Sequence, residues 1–245
     1  MELKACLNGG RRPGAHPRLP VTPADLAAEA AAAVAAGADA LHVHPRDGDG
    51  AESLHPDDVG AAVAAIRAAV PGVPVGVSTG LWITGGDTGT RAGHLTRWRD
   101  LPAGRRPDFA SCNVSEPGWA DAWELLRAAG VAVEAGVWSL ADLTELHRCG
   151  RAGTALRVLV ELVGVPVGRA EEVAVALLDR LPAVAPGMPV LLHGEGESTW
   201  PVLRLAARRG LPTRIGLEDV LVGPNGAAVA GNADLVRLAR GISGG

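Results

Sequence analysis

The amino-acid sequence predicts an α/β fold, the (β/α)8 TIM barrel, formed as one domain by residues 1–245. Short apolar runs alternate with longer amphipathic runs along the whole chain, as expected when strands and helices follow each other in turn. A chain of 245 residues also has the usual length of such a barrel. Polar residues follow nearly every apolar run, as they do where barrel strands open into an active site. An open doubly wound sheet is the alternative arrangement.

The predicted strands are short runs rich in Val, Leu, Ile and Ala, the composition of parallel strands buried on both faces. They comprise residues 3–7, 38–42, 73–77, 108–112, 132–136, 156–160, 189–192 and 213–216. The predicted helices lie between them or follow the last strand, and several end at a glycine that leads into the next strand. They comprise residues 23–36, 56–69, 91–98, 120–129, 140–149, 171–181, 200–209 and 233–240.

The first helix carries the clearest boundary signals. Thr22 is suited to cap its amino end, Pro23 fits its first turn, and Asp25 can complete a capping box. Gly37 favours termination of the helix before the second strand. These signals support an alternation of helices and strands from the first unit onward.

The composition excludes several classes of function. The chain is 47% hydrophobic with a formal net charge of −4, which indicates a full core and no nucleic-acid surface. Three scattered cysteines imply no disulfide framework and favour a reducing cytoplasm. The amino terminus lacks a signal-peptide apolar region and no apolar run has membrane-spanning length, so we expect a cytoplasmic protein without membrane association. The glycine-rich signatures of nucleotide-binding folds are also absent.

Two histidines one residue apart, His42 and His44, are the most informative feature of the sequence. They stand where the second predicted strand gives way to a turn that begins at Pro45. Side chains two residues apart in a strand point to the same face, so both imidazoles are expected to project together. Two converging neutral imidazoles provide half of a Zn²⁺ site. The alternative is a pair packed in the core without a ligand, which would need two sets of hydrogen-bond partners.

Polar residues at the ends of the other strands are expected to meet the two histidines at the mouth of the barrel. Any one of them is compatible with an ordinary polar loop, but Arg214 opens the last apolar strand and two acids, Glu218 and Asp219, follow it. The residues expected at the mouth are Asn8, Arg11, Arg12, Arg46, Ser78, Thr79, Gly80, Ser111, Asn113, Glu116, Glu134, Glu161, His193, Glu195, Glu197, Arg214, Glu218 and Asp219.

Glu218 is the preferred third metal ligand, because the last strand of a barrel closes beside the first strand and so lies near the second. If the last strand extends far enough, Arg214, Gly216 and Glu218 share one face, and Gly216 would leave room for a ligand. Asp219 then points in another direction and is free to act as a base, ionised beside Arg214. His193 is the alternative third ligand.

Six motifs, in order along nearly the whole chain, resemble those of the β-keto acid cleavage enzymes, a family that includes 3-keto-5-aminohexanoate cleavage enzyme. The most specific combination is His-x-His-x-Arg at 42–46 with Arg-Ile-Gly-Leu-Glu-Asp at 214–219. The others are Leu-Pro-Val-Thr-Pro at 19–23, Ser-Thr-Gly at 78–80, Ser-Cys-Asn at 111–113 and Leu-Val-Gly-Val-Pro at 162–166.

This resemblance implies a Zn²⁺-dependent homo-oligomer, a dimer or tetramer, that condenses a β-keto acid with acetyl-CoA and releases acetoacetate and a shorter acyl-CoA. By the same resemblance, His42, His44 and Glu218 correspond to the metal ligands, and Asp219 corresponds to a base oriented by Arg214. Three further residues match polar positions that contact substrate in the family, namely Ser78, Ser111 and Asn113. The full set of expected substrate contacts is Arg11, Arg46, Ser78, Thr79, Gly80, Ser111, Asn113 and Glu195.

Two regions depart from the pattern of 3-keto-5-aminohexanoate cleavage enzyme, the family member whose substrate carries an amino group. Arg11 stands where that member has a glutamate, and the run 193–197 carries Glu195 and Glu197 where that member is basic. Arg11 favours an anionic end on the substrate, which suggests a dicarboxylic β-keto acid such as 3-oxoadipate or 3-oxoglutarate. Either glutamate would weaken this preference by pairing with Arg11. The rival functions are a metal-dependent hydrolase of the amidohydrolase type and a ligand-binding barrel without catalysis.

Overall fold

The computed structural model describes residues 1–243, in which eight parallel strands alternate with eight α-helices. The strands are β1 (Leu3–Cys6), β2 (Ala40–Val43), β3 (Val75–Ser78), β4 (Phe109–Asn113), β5 (Ala132–Val137), β6 (Arg157–Leu162), β7 (Val190–Gly194) and β8 (Thr213–Ile215). The helices are α1 (Pro23–Ala35), α2 (Pro56–Ala69), α3 (Thr88–Arg97), α4 (Trp119–Ala128), α5 (Leu140–Arg148), α6 (Val167–Val184), α7 (Thr199–Arg209) and α8 (Asn232–Ser243).

The strands form one sheet in the order β7-β6-β5-β4-β3-β2-β1-β8, and each neighbouring pair is parallel. Hydrogen bonds between the ends of this order close the sheet. The Leu192 amide donates to the carbonyl of Pro212 at 3.0 Å, and Thr213 Oγ1 donates to the carbonyl of Leu192 at 2.7 Å. The predicted (β/α)8 barrel is therefore confirmed, and the alternative of an open sheet is wrong.

Capping chemistry sets the helix boundaries. Thr22 and Asp25 form a reciprocal capping box at the start of α1, as the sequence indicates. Helix α3 begins earlier than predicted because Asp87 caps it by accepting a hydrogen bond from the Thr90 amide. Helix α6 is longer than predicted at both ends and contains Pro182 in its last turns. The predicted elements thus exist, while their ends differ by a few residues.

The amino ends of the strands are closed by a buried group of charges. Lys4 Nζ lies 2.6 Å from Glu134 Oε2, and Arg157 Nε lies 2.6 Å from Glu134 Oε1. Lys4 and Glu134 are both fully buried, and Phe109 stacks against the two cations. The prediction that Glu134 belongs to the mouth is wrong, because its place near the start of β5 puts it at the opposite end of the barrel.

Apolar side chains fill the space between the sheet and the helices, with Leu26, Ile66 and Trp98 among those that are fully buried. Cys112 lies in this interior, and its burial raises the pKa of the thiol to about 12, so it remains protonated. Within residues 1–243, no helix combines the length and the hydropathy needed to cross a membrane.

Candidate active site

A cavity of about 450 Å³ opens at the carboxyl ends of the strands. Barrel enzymes build their active sites at this end, because the loops that follow the strands converge there. Charged, polar and aromatic side chains form most of its wall. The lining residues are Gly10, Arg11, His42, His44, Ser78, Trp82, Ser111, Asn113, Trp138, Glu161, Val163, Glu195, Arg214 and Glu218.

Three of these side chains converge in the way that a metal site requires. His42 lies in β2, and His44 is the first residue after that strand. Glu218 lies in the turn that follows β8. One ligand atom from each lies within 4.8 Å of the other two. Glu218 Oε2 is 3.9 Å from His42 Nε2 and 3.6 Å from His44 Nε2. The period-2 spacing of the histidines and the closure of β8 on β1 together produce this arrangement.

The chemistry of this group fits a divalent cation. Glu218 Oε2 is buried, faces both histidines and has no hydrogen-bond partner. Burial, followed by the nearby charge of His44, holds the pKa of His42 well below its ordinary value and keeps the imidazole in the neutral form that binds metals. The group therefore offers two imidazole nitrogens and one free carboxylate oxygen, the ligand types that Zn²⁺ takes in catalytic sites.

A second carboxylate, Glu52, fixes the orientation of His44. His44 Nδ1 lies 2.5 Å from Glu52 Oε1, so Nε2 is the ring nitrogen that faces Glu218. Burial alone would raise the pKa of Glu52, but the hydrogen bond and charge of His44, the hydrogen bond from Trp82 and the charge of Arg46 together lower it. Trp82 Nε1 donates to the same carboxylate, and the indole stacks on the His44 ring at 6.4 Å between centroids. A metal-ligating histidine in proteins is commonly held by a carboxylate in this way.

Arg214 connects the group formed by His42, His44 and Glu218, here called the metal group, to two further acids. Its Nη2 donates to Glu218 Oε1 and to Asp219 Oδ1, each at 2.8 Å, and its Nη1 lies 3.4 Å from Glu161 Oε2. Burial raises the pKa of Asp219 even though Arg214 acts to lower it. When all three carboxyl groups are ionised, their charge exceeds that of the single guanidinium by two, which a divalent cation would neutralise.

His193 is directed away from the metal group. Its Nε2 lies 2.8 Å from Glu161 Oε2, and its Nδ1 lies 3.7 Å from Asp219 Oδ1. Burial alone would raise the pKa of Glu161, but His193 and Arg214 lower it to about 2. His193 thus bridges two acids and is not among the residues whose ligand atoms converge, which argues against it as the third metal ligand.

The turn after β8 differs from the sequence-based expectation in two respects. The strand ends at Ile215, so Glu218 reaches the cavity from a turn and not from a strand face. Gly216 leaves no space for a ligand: a Cβ on it would lie 1.8 Å from the carbonyl oxygen of Cys6. Asp219 is not free either, because it is fully buried and its Oδ1 accepts two hydrogen bonds from Arg214. Its Oδ2 remains without a hydrogen-bond partner.

Five of the eight residues predicted as substrate contacts line the cavity: Arg11, Ser78, Ser111, Asn113 and Glu195. The other three do not line it, and each supports the wall instead. Thr79 Oγ1 donates to the carbonyl of Ser111 at 2.6 Å, and Gly80 packs under the ring of Trp82. Arg46 donates to the carbonyls of Gly9 and Arg11 and so anchors the loop after β1.

Sequence reasoning missed the two tryptophans of the wall and Glu52. Trp82 and Trp138 follow β3 and β5, the positions from which barrel residues reach the mouth, so strand-end position was the available signal. Trp138 Nε1 donates to Glu161 at 3.1 Å. No local signal marks Glu52, because it reaches His44 through the fold of the loop between β2 and α2. In that loop the backbones of Arg46 and Glu52 form an isolated antiparallel bridge.

A family model described as "beta-keto acid cleavage enzyme" matches residues 2–244. Among solved structures, the protein named ObcA is similar in its apo form (TM-score 0.74), in a complex with oxaloacetate (0.73) and in a ternary complex with a C4-CoA adduct and oxalate (0.74). Each comparison has 22% identity and covers 92% of this chain. The chain spans 61% of the apo ObcA chain and 63% of the chain in each complex.

A second similar structure is 3-dehydroquinate dehydratase from Enterococcus faecalis, with 11% identity and a TM-score of 0.65. This comparison covers 99% of the present chain and 93% of the dehydratase. At such identities, the likeness to ObcA and to the dehydratase shows a shared fold.

Proposed function

The chain belongs to the β-keto acid cleavage enzyme family, and we propose that it condenses a β-keto acid with acetyl-CoA to give acetoacetate and a shortened acyl-CoA. The observation that carries this proposal is the single cavity at which His42, His44 and Glu218 converge beside the Arg214–Asp219 pair. The solved ObcA complexes support it, since one contains oxaloacetate, a keto acid, and another contains a C4-CoA adduct.

Zn²⁺ is the proposed metal, held by His42, His44 and Glu218. Two imidazoles and a carboxylate, with positions left open for substrate, are a ligand set that zinc enzymes use. When bound there, the ion would polarise the ketone of the substrate and stabilise the negative charge of its enolate. Glu52 would keep His44 in the correct orientation throughout, because its carboxylate already occupies Nδ1.

Asp219 is the proposed base that removes the proton from the carbon between the ketone and the carboxylate. Arg214 occupies only its Oδ1, and the raised pKa of the carboxyl group makes it a stronger proton acceptor than an exposed aspartate. Because Asp219 is buried beside the wall and does not line it, this role requires Arg214 to shift when substrate binds.

The carbanion then attacks the thioester carbonyl of acetyl-CoA and displaces the CoA thiolate. The thiolate adds to the ketone carbon of the original keto acid, the bond between that carbon and the α-carbon breaks, and the α-carbon takes back the proton held by Asp219. The new acyl-CoA carries the distal part of the β-keto acid, and acetoacetate contains its two proximal carbons. Ser78, Ser111 and Asn113 are the proposed hydrogen-bonding partners of the substrate, because their side chains line the same cavity. We also propose that the protein is a cytoplasmic homo-oligomer, a dimer or tetramer, and light scattering of the purified protein tests its assembly state.

Metal content is the direct test of the proposed site. Purified protein is expected to contain about one zinc ion per chain by elemental analysis, and His42→Ala should lose it. His147→Ala is the matched control, since His147 is exposed on α5 and outside the cavity. Full zinc content in His42→Ala, or loss of zinc in both variants alike, would refute the assignment of the ligands.

A further inference from the structure

Two charged side chains on the cavity wall have no charged partner. Arg214, Glu161 and Glu218 are paired with one another. Arg11 and Glu195 also line the cavity, yet within residues 1–243 neither side chain takes part in an ion pair. The two groups therefore remain available to a ligand, and they have opposite charge.

Arg11 is anchored by hydrogen bonds although its charge has no charged partner. Its Nε donates to the carbonyl of Leu217 at 2.5 Å, and its own carbonyl accepts a hydrogen bond from Arg46 at 2.6 Å. The guanidinium is thus anchored through Nε, while its two terminal nitrogens form no hydrogen bond in the described part of the chain. A fixed pair of terminal N–H groups matches the two oxygens of a carboxylate.

The anchoring contacts place Arg11 beside the metal group. Leu217 immediately precedes Glu218 in the turn after β8. Gly9 packs against Glu218 so closely that a Cβ on Gly9 would lie 2.4 Å from Glu218 Cγ, which brings the loop carrying Arg11 onto the same wall. A substrate whose keto group lies at the metal group therefore has an unpaired cation within the same cavity.

We propose that Arg11 binds a carboxylate at the far end of the substrate, so that the preferred substrates are β-keto dicarboxylic acids. The inference rests on the proposed function, which supplies the binding site for the β-keto end. Glu195 is the opposing charge on the wall and reduces the attraction without abolishing it, because it forms no ion pair with Arg11.

Binding in the absence of acetyl-CoA tests this inference separately from catalysis. Zinc-loaded protein is titrated with 3-oxoadipate and with 3-oxohexanoate, which has the same chain length and lacks the second carboxylate. Wild type should bind 3-oxoadipate more tightly. Arg11→Gln should weaken that binding by about tenfold to a hundredfold and leave 3-oxohexanoate unchanged. Glu195→Gln should strengthen the binding of 3-oxoadipate.

Arg12→Gln is the matched control, because Arg12 is the exposed neighbour that does not line the cavity. The inference is overturned if wild type binds the two acids with equal affinity. It is also overturned if Arg11→Gln keeps the full preference for 3-oxoadipate. A KM for acetyl-CoA that rises in Arg11→Gln when 3-oxohexanoate is the co-substrate also overturns it, since Arg11 would then bind a CoA phosphate. If wild type binds 3-oxoadipate more tightly than 3-oxohexanoate but converts neither acid, the result supports the binding role of Arg11 and contradicts the proposed function.

Discussion

At the scale of single residues, the chain Trp82–Glu52–His44–Glu218 is the most informative set of contacts. Trp82 donates to Glu52, Glu52 occupies one nitrogen of His44, and the other nitrogen faces Glu218. Each contact restricts the next, so the lone pair of His44 is aimed before any metal arrives. Pre-orientation of this kind reduces the ordering needed on metal binding.

Replacing Glu52 with glutamine is expected to weaken zinc binding by about tenfold to a hundredfold. The neutral amide supports the imidazole less well and also permits the other tautomer. Competition against a chelator of known affinity measures the change, and Glu145→Gln on the surface of α5 serves as control. An unchanged zinc affinity in Glu52→Gln would show that Glu52 only packs against His44.

Asp219→Asn is expected to fold, retain zinc and lose turnover by at least about a hundredfold. The amide keeps the shape of the side chain but cannot accept the substrate proton. Steady-state kinetics combined with elemental analysis separates this effect from loss of metal. Near-wild-type turnover in Asp219→Asn would remove Asp219 as the base.

The convergence of His42, His44 and Glu218 was predictable from the sequence because it depends on local rules. A spacing of two places His42 and His44 on one face of a strand, and barrel closure brings Glu218 to them. The contacts of Glu52 and Asp219 could not be predicted from such rules. The position of Glu52 depends on how a loop folds back, and the burial of Asp219 depends on the close approach of Gly216 to Cys6.

At the scale of elements, the amino ends of β1, β5 and β6 contribute stability and not chemistry. Lys4, Glu134 and Arg157 come from these three strands and form one buried network. Removing one partner of a buried ion pair leaves the others uncompensated. Alternation of apolar residues could not reveal this network, because Lys4 and Glu134 occupy positions where a strand pattern predicts apolar side chains.

Glu134→Gln is expected to lower the free energy of unfolding at neutral pH by about 3–5 kcal/mol. Burial acts to raise the pKa of Glu134, but the charge of Lys4 and then that of Arg157 outweigh it and hold the pKa below 4.5. The ionised form therefore contributes its stability above pH 4.5, and this contribution is lost as the pH falls through the lowered folded value.

Denaturant unfolding at a series of pH values measures this prediction. The difference between wild type and Glu134→Gln should be largest at neutral pH and should narrow below pH 4.5. Glu145→Gln, which removes an exposed pair with Arg148, should leave the free energy of unfolding almost unchanged. A difference that widens on acidification would contradict the pairing.

At the scale of the whole molecule, the barrel separates stability from reactivity. One end carries the buried network of Lys4, Glu134 and Arg157. The other carries the cavity, with an unpaired oxygen of Glu218 on its wall and one of Asp219 buried beside it. The class of fold was predictable because the alternation of elements is regular along the chain. The ends of α3 and α6 were not predictable, because capping residues such as Asp87 lie outside the apolar pattern from which the helix boundaries were predicted.

We propose that the protein joins the two proximal carbons of a β-keto acid to the acetyl group of acetyl-CoA. Acetyl-CoA labelled with ¹³C in both acetyl carbons, incubated with zinc-loaded protein and 3-oxohexanoate or 3-oxoadipate, tests this claim by mass spectrometry of both products. The expected products are acetoacetate that contains both labelled carbons and an unlabelled acyl-CoA derived from the keto acid. Consumption of the keto acid without acetyl-CoA, or label in the new acyl-CoA, would contradict it.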